Sequence, residues 1–544
     1  MVRSTESFTM KGSKKTGLLF LFCLLMFSAL RTYGQAPMVS WEECAGGTRE
    51  DAGNSILQTN DGNYIVAGKT NSDNGPVTGN HGGYDVWVVK YDTSGIILWQ
   101  KCLGGSGNDE AGSILQTSDG GFVIAGYTES FDGDVVGIHF GVQSSRDAWV
   151  VKLDNSGNVL WQKCLGGSEA DEASTVLETS DGNLMITGFT RSMDGDATGN
   201  HSATFTDFFL ILLSGDGSAI LHQKCIGGQF NDRAYSSLQT TDGGFLIAGS
   251  TDSNTGDVSF NHGSDDFWVV KVNESLAIEW EKTYGGSNSD KAKNIISTLD
   301  GNYLVSGDAS SNDGDVSGHY GSVFNSDFWM VKINPNGAII WQHSYGGTNK
   351  DVLNTVIGLY DGSYIAAGTT NSLDGDVTGL HTYYDGWILR TDAQGNLTGQ
   401  LCLGSAGYDE FFSLLHDSFG NTVLAGTGGA HLPLFNGGSD TYLVKLKHEL
   451  VGIEEIQKDQ LVFTVSPNPI RESAVMELSC LSSCPDNEYS FVLADVQGRI
   501  VYRMNGFRLG SAVFKRNELQ NGIYFFSIVA GGTTYLYGKL LLLK

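Results

Sequence analysis

The sequence predicts an all-β chain: a seven-bladed β-propeller with four strands per blade, followed by a small β-sandwich domain. All ten tryptophans fall at two positions of one recurring unit. Trp87, Trp149, Trp268, Trp329 and Trp387 sit two residues after an Asp; Trp41, Trp99, Trp161, Trp280 and Trp341 open segments such as WQKCLGG. A third landmark, DGNYIVAG at Asp61, returns at Asp119, Asp181, Asp242, Asp300 and Asp361, and in degraded form at Phe419, at intervals of 58, 62, 61, 58, 61 and 58 residues. A fixed period of this size means that one supersecondary unit has been copied and stacked.

Each element of the unit has a local cause. In the second unit, SILQT (strand A, from Ser113) and FVIAG (strand B, from Phe122) flank Ser-Asp-Gly-Gly, a hairpin signal with Gly available for positive φ. A long loop leads to DAWVVKLD (strand C, from Asp147), and an Asn-Ser-Gly turn leads to VLWQKCLG (strand D, from Val159). The strands are nearly continuous apolar runs, so both faces of each small sheet are covered, as between neighbouring blades. The chain starts the repeat with a lone D strand at Val39–Cys44 and ends it on a C strand at Asp440–Lys445. Joined in one blade, the two ends remove the open edge that a ring of sheets would otherwise expose. Six or eight blades are the alternatives.

Residues 1–35 read as a secretion signal: Lys11, Lys14 and Lys15, an apolar run from Leu18 to Leu30, then Gly34-Gln35-Ala36. A run of that length is short for a membrane span and typical of a cleaved signal. No other segment is apolar and long enough to cross a membrane. The propeller then occupies 36–447, a charged linker 448–460 and the last domain 461–544. The net charge is −28, and −32 without the first 35 residues, which hold five basic and one acidic side chain. Such a surface repels nucleic acid and anionic membranes. Cys44, Cys102, Cys164, Cys225 and Cys402 share one repeat position in different blades, too far apart to bridge, and read as buried free thiols. Cys480 and Cys484 are close together and are expected to pair in an oxidising compartment.

The last domain resembles the C-terminal sorting domain of the type IX secretion system of Bacteroidetes, on Pro467-Asn468-Pro469, Asp495 and Gly498 in the central turn, Gly522 and Tyr524, and the final Lys539-Leu540 strand. The resemblance implies export across both membranes, type IX machinery as partner, cleavage of the domain, and a secreted or outer-surface location. The repeat region is similar to secreted propeller-repeat proteins of the same bacteria. A second likeness is to quinoprotein propellers, whose D-x-x-T-G-x-x-x-W spacing is matched by Asp154-Asn155-Ser156-Gly157 and Trp161, with Ser for Thr. There the turn is expected to dock the Trp against the next blade. No adjacent-cysteine pair or cofactor loop accompanies it, and the S-x-D-x-G-x-x-W box of sialidases is not met.

Two acidic series are candidate sites. Asp51, Asp109, Asp171, Asp232, Asp290 and Asp351 follow a Gly-Gly pair, and Asp409 follows Gly404-Ser405, at the start of strand A, which places all seven toward the channel mouth. They form either a polar or cation site on the axis, or seven turn carboxylates that each accept N–H bonds from their own loop. The long B–C loops carry Asp132 with Asp134, Asp194 with Asp196, Asp313 with Asp315, and Asp374 with Asp376, a pattern that suits Ca²⁺ but lacks the full EF-hand run. Histidines 81, 139, 201, 262 and 381 in these loops read as packing groups. Repeat breaks are few (His222, Gly399, His343, Lys350, Tyr408) and form no known catalytic pattern. The expected function is a non-catalytic binding or structural module for a glycan or protein, with Ca²⁺ as the candidate cofactor; a polysaccharide hydrolase or lyase is the alternative, and a quinoprotein-like oxidoreductase a more distant one.

Overall fold

A computed structural model describes residues 39–447 apart from 140–144, 382, 405–406, 430–434 and 436–437, and, in the C-terminal region, 461–466, 473–480, 489–494, 500–508, 510–516, 519, 522–530 and 533–542. The expected signal segment, the linker 448–460, Pro467, Asn468, Pro469, Asp495, Gly498 and Cys484 lie outside the described residues. All described regular structure is β, and the chain divides into two compact units. No helix among the described residues is long and apolar enough to cross a membrane.

The first unit is seven four-stranded antiparallel sheets. In six of them the strands run A-B-C-D in chain order, as in Asp51–Gln58, Tyr64–Thr70, Asp85–Tyr91 and Ile97–Leu103. The seventh takes its D strand, Val39–Ala45, from the start of the propeller; it pairs with Asp440–Leu446 in the register Glu43↔Leu443. The A strand of every blade packs against the A strands of both neighbours, including the first against the last, so the A strands form the inner wall of a closed ring. The predicted propeller, its blade number and its closing strand are all present.

Three kinds of contact join neighbouring blades, one of them at every junction. The C-strand tryptophans are fully buried and donate to a D-strand Gln or Glu, as from Trp149 Nε1 to Gln162 Oε1 at 2.7 Å. In three blades the Phe that follows the strand C Asp (Phe208, Phe267 and Phe328) packs at a tilt against the Trp of the next blade, with centroids 4.5–4.6 Å apart. D-strand tryptophans dock on the C–D turn of the next blade, Trp99 over Gly157 and Trp161 over Gly217, and Trp41 continues the pattern across the closure over Gly95. At each junction the A-strand Asp N–H donates to the carbonyl preceding strand C of the previous blade. Asp109 N donates to Tyr84 O at 2.6 Å, and Asp51 N closes the ring on Ser439 O at 2.6 Å. Burial of each C-strand indole contributes roughly 5 kcal/mol of transfer free energy.

Strand A carries a β-bulge in every blade. The residues left unpaired are Asn54, Gly112, Ser174, Tyr235, Lys293, Asn354 and Phe412. Across each bulge strand B supplies a glycine, from Gly68 to Gly426, whose place no other residue fits, because a Cβ there would overlap an A-strand carbonyl. A bulge re-aims a side chain, and these seven lie on the strand that lines the axis.

In the second unit, Leu461–Ser466, Ser473–Cys480 and Gly510–Lys515 form a three-stranded sheet. Ile500–Phe507, Tyr489–Ala494, Gly522–Ala530 and Thr533–Leu542 form a four-stranded one. Met476, Leu478, Phe491, Leu493, Phe514, Ile528 and Leu540 from both sheets share one buried cluster. Gly522 and Tyr524 lie on one of the two final strands and Lys539 on the other, opposite Phe525.

Candidate functional site

Strands A and C begin, and B and D end, at one face of the propeller, here the upper face. Both acidic series lie there. The seven A-strand aspartates are buried, at most 1 % exposed, and do not share an axial site. Each carboxylate takes its hydrogen bonds from its own blade and the loop that leads into it, and Oδ1 of Asp232 is left without a partner among the described residues. Asp109 accepts from Gly105 N at 2.9 Å, from Ser130 Oγ at 2.8 Å and from the Thr128 hydroxyl. Asp51, Asp171 and Asp351 repeat this set, Asp232 accepts from Gly228 N and Ser253 Oγ, and Asp290 from Gly286 N and Ser311 Oγ. Asp409 accepts from Gly429 N at 2.8 Å. The reason is desolvation: a carboxylate carried inside must be surrounded by donors, and the nearest ones belong to its own loops.

The B–C loop pairs divide their work. Asp132, Asp194, Asp313 and Asp374 each accept a backbone N–H from the preceding D–A loop at 2.7 Å, from Ser106, Ser168, Ser287 and Thr348. Those bonds hold the first three carboxyls below the usual carboxylate range. The backbone N–H groups of Asp134, Asp196, Asp315 and Asp376 tie the loop to the first Gly of the Gly-Gly pair. The Asp196 and Asp315 carboxylates face His139 and His262 of the preceding blade at 3.8 and 3.7 Å. Among the described residues no three His, Cys, Asp or Glu side chains come close enough together to hold a metal ion, and one amide-bound carboxylate per loop is short of the six to eight oxygens Ca²⁺ takes. EDTA is therefore expected to leave the melting temperature unchanged; a fall of several degrees, reversed by Ca²⁺, would return the metal to Asp132 and Asp134 and their counterparts.

The loop histidines clamp the aspartate that opens strand C, with Nδ1 2.6–2.8 Å from the carboxylate in five blades, as in His139–Asp147 at 2.7 Å. On the lower face the C-strand cation reaches the Asp of the A–B turn, as in Lys90–Asp61 at 2.6 Å and Arg390–Asp361 at 2.7 Å. The five repeated cysteines are free and buried. All of these groups are blade architecture.

Unlike residues gather elsewhere, around the channel. Four of the five propeller arginines (Arg49, Arg146, Arg191, Arg233) are on the upper face, three of them paired: Arg49–Asp73 at 4.0 Å, Arg146–Glu172 at 2.8 Å and Arg191–Glu169 at 2.6 Å. Lys69 holds Glu110 at 3.0 Å, and Arg233 lies over the Phe189 ring, 5.2 Å from its centroid. Burial pushes the Glu172 carboxyl up, against the pull of Arg146. On the opposite side of the mouth Tyr383, Tyr384 and Tyr408 form an aromatic cluster, with centroids 5.3 and 5.0 Å apart; Tyr383 is 71 % and Tyr408 49 % exposed. Inside the ring a cavity of about 300 Å³ is lined by Glu110, Tyr127, Glu172, Ser174, Tyr235 and Lys293, with Gly112 and Gly126 in its wall. Of the repeat breaks named from sequence, only Lys350 and Tyr408 belong to this end. The bulge residues were missed, although a signal exists: the third residue after the A-strand Asp is Asn, Gly, Ser, Tyr, Lys, Asn and Phe in the seven units, between near-constant neighbours.

By fold the chain is a seven-bladed β-propeller with a separate β unit after it. No established protein-family profile matches it. Over 209 residues it is 28% identical to the regulatory protein FlaEY of Caulobacter vibrioides, an alignment covering 37% of this chain and 21% of that protein, so the chain matches about a fifth of that relative's length. Among solved structures it is similar to Sqt1 from Chaetomium thermophilum (11% identity, 92% of this chain and 100% of that one, TM-score 0.35). It is also similar to a puromycin hydrolase (10% identity, 83% and 63%, TM-score 0.41).

Proposed function

We propose that the chain is a non-catalytic binding module, secreted or displayed on the outer cell surface, that takes a glycan or protein ligand at its upper face. The supporting observation is that the residues escaping the repeat converge there: paired charges of both signs, exposed tyrosines and a cavity on the axis. Architecture repeats in every blade, whereas a site for one ligand must combine unlike groups. Exposed aromatic rings beside paired polar groups are what a hydroxyl-rich or peptide ligand uses. Export by type IX-like machinery through residues 461–544 is part of the same proposal, supported by the sorting-domain likeness.

The test is a glycan array and thermal-shift screen of the mature full chain. A specific ligand whose affinity falls about tenfold in Tyr408→Ala, the loss of one aromatic contact of about 1.4 kcal/mol, supports the proposal. A ligand whose binding ignores Tyr383→Ala and Tyr408→Ala but depends on the lower-face Arg390 would overturn it. A polysaccharide hydrolase is the second reading, favoured by Glu110 and Glu172 lining one cavity. Release of reducing ends that is abolished by Glu172→Gln would establish it.

A further inference from the structure

We infer that the axial cavity is a subsite for a neutral saccharide ring, entered from the upper face; this rests on the binding function proposed above. Four consecutive blades line the cavity, from Glu110 in the second to Lys293 in the fifth, an arrangement only the central channel permits. Three of its lining residues, Ser174, Tyr235 and Lys293, stand on the bulges of strand A, and Gly112 occupies a fourth bulge. The repeat builds the bulge, and the residue placed on it changes from blade to blade.

The charge balance selects the ligand. Every charge in the cavity already has a partner inside the protein. Glu110 pairs with Lys69 at 3.0 Å and also accepts from Asn54 Nδ2 at 3.0 Å and Tyr127 Oη at 3.2 Å. Glu172 pairs with Arg146 at 2.8 Å. Lys293 pairs with Asp308 at 3.0 Å and donates to Asn354 Oδ1 at 3.0 Å. A free ion would have to compete with these partners. A neutral hydroxyl does not, because a paired carboxylate still offers lone pairs and accepts strong, charge-assisted hydrogen bonds.

The remaining surface suits a pyranose. The Tyr235 hydroxyl makes no hydrogen bond among the described residues, and its half-buried side chain lines the cavity. Gly112 lets the next A strand come close in the cavity wall, since a Cβ there would stand 3.0 Å from the Ser174 carbonyl. A volume of about 300 Å³ is at the small end of ligand sites, enough for one or two sugar rings. The structure thus places carboxylate acceptors, a phenol and an apolar ring face around a space of sugar size.

The experiment uses the full mature chain with neutral mono- and disaccharides as probes, read by saturation-transfer NMR and calorimetry. The expected result is binding that weakens about tenfold in Tyr235→Ala and is largely kept in Tyr235→Phe, with both variants melting like the parent. A saccharide whose binding is weakened by Tyr408→Ala and untouched by Tyr235→Ala would overturn the inference while keeping the upper-face function. No binding of any neutral saccharide at millimolar concentration would also overturn it, and would leave the upper face to a protein ligand. Binding of charged sugars alone would overturn the charge-balance argument and with it the inference.

Discussion

Gly249→Ala is expected to destabilise the propeller by about 3 kcal/mol or more, read as a fall in the denaturant midpoint. The added methyl group would overlap the carbonyl of Arg233 in the facing A strand, and backbone on both sides leaves nothing to yield. Relief would require undoing the bulge at Tyr235, which breaks the register between Asp232–Gln239 and Phe245–Thr251. Gly399→Ala is the control. It lies in a strand with nothing near its missing Cβ, and Ala there is expected to be neutral or to stabilise by a few tenths of a kcal/mol up to about 1. Equal losses in the two variants would show that the bulge glycines are ordinary strand residues.

The second expectation is that the propeller melts at a higher temperature at pH 5 than at pH 8. At Gly46, Gly227, Gly285, Gly346 and Gly404 the Asp opening strand C and the A-strand Asp of the next blade approach the same glycine: a Cβ on Gly227 would stand 2.6 Å from an oxygen of both Asp207 and Asp232. Both carboxyls are fully buried, and in Asp85, Asp147, Asp207, Asp266, Asp327 and Asp385 the Oδ1 atom has no hydrogen-bond partner among the described residues. Burial, with the neighbouring carboxylate adding to it, pushes Asp85, Asp147 and Asp266 up to about 6 and Asp232 and Asp351 up to about 7. The His81 and His319 rings, held by Asp85 and Asp327, are raised as well.

All of these groups bind protons more tightly in the folded chain than in the unfolded one. For the aspartates the stabilisation by protonation is complete below the unfolded value near 3.8 and is lost as pH rises through 6–7. Each group contributes up to about 1.4 kcal/mol per pH unit within that window. The turn aspartates Asp61, Asp119 and Asp242, held down to about 2 by Lys and hydroxyl donors, titrate below it and do not offset the trend. Asp266→Asn removes one charge and puts an amide donor in reach of the facing carboxylate. It is expected to raise the melting temperature at pH 8 and to change it little at pH 5. A flat profile from pH 5 to 8 would show that the pairs are neutralised by something other than protons.

Much of this was legible in the residues themselves. The tryptophan and DGN periods give the blade, the lone D strand at Val39 and the final C strand at Asp440 give the closure, and one repeat position gives the five buried cysteines. Repetition makes such features readable, because seven copies of a local pattern average out the ambiguity of each. The fate of the aspartates was only half legible. Their place at the start of strand A follows from the Gly-Gly-x-x-x-Asp spacing, but whether they face the axis or their own loops depends on where Ser130 and Thr128 arrive, some twenty residues later.

The sequence by itself determined the architecture, since hydrophobic period, turn glycines and repeat phase are all local or nearly so. Only the tertiary structure decided what faces the channel. The bulge breaks the two-residue alternation of strand A, so parity along the strand no longer says which side chain points inward. Glu110, Glu172, Tyr235 and Lys293, spread over more than 180 residues of chain, meet because the ring closes, and no local pattern encodes that meeting.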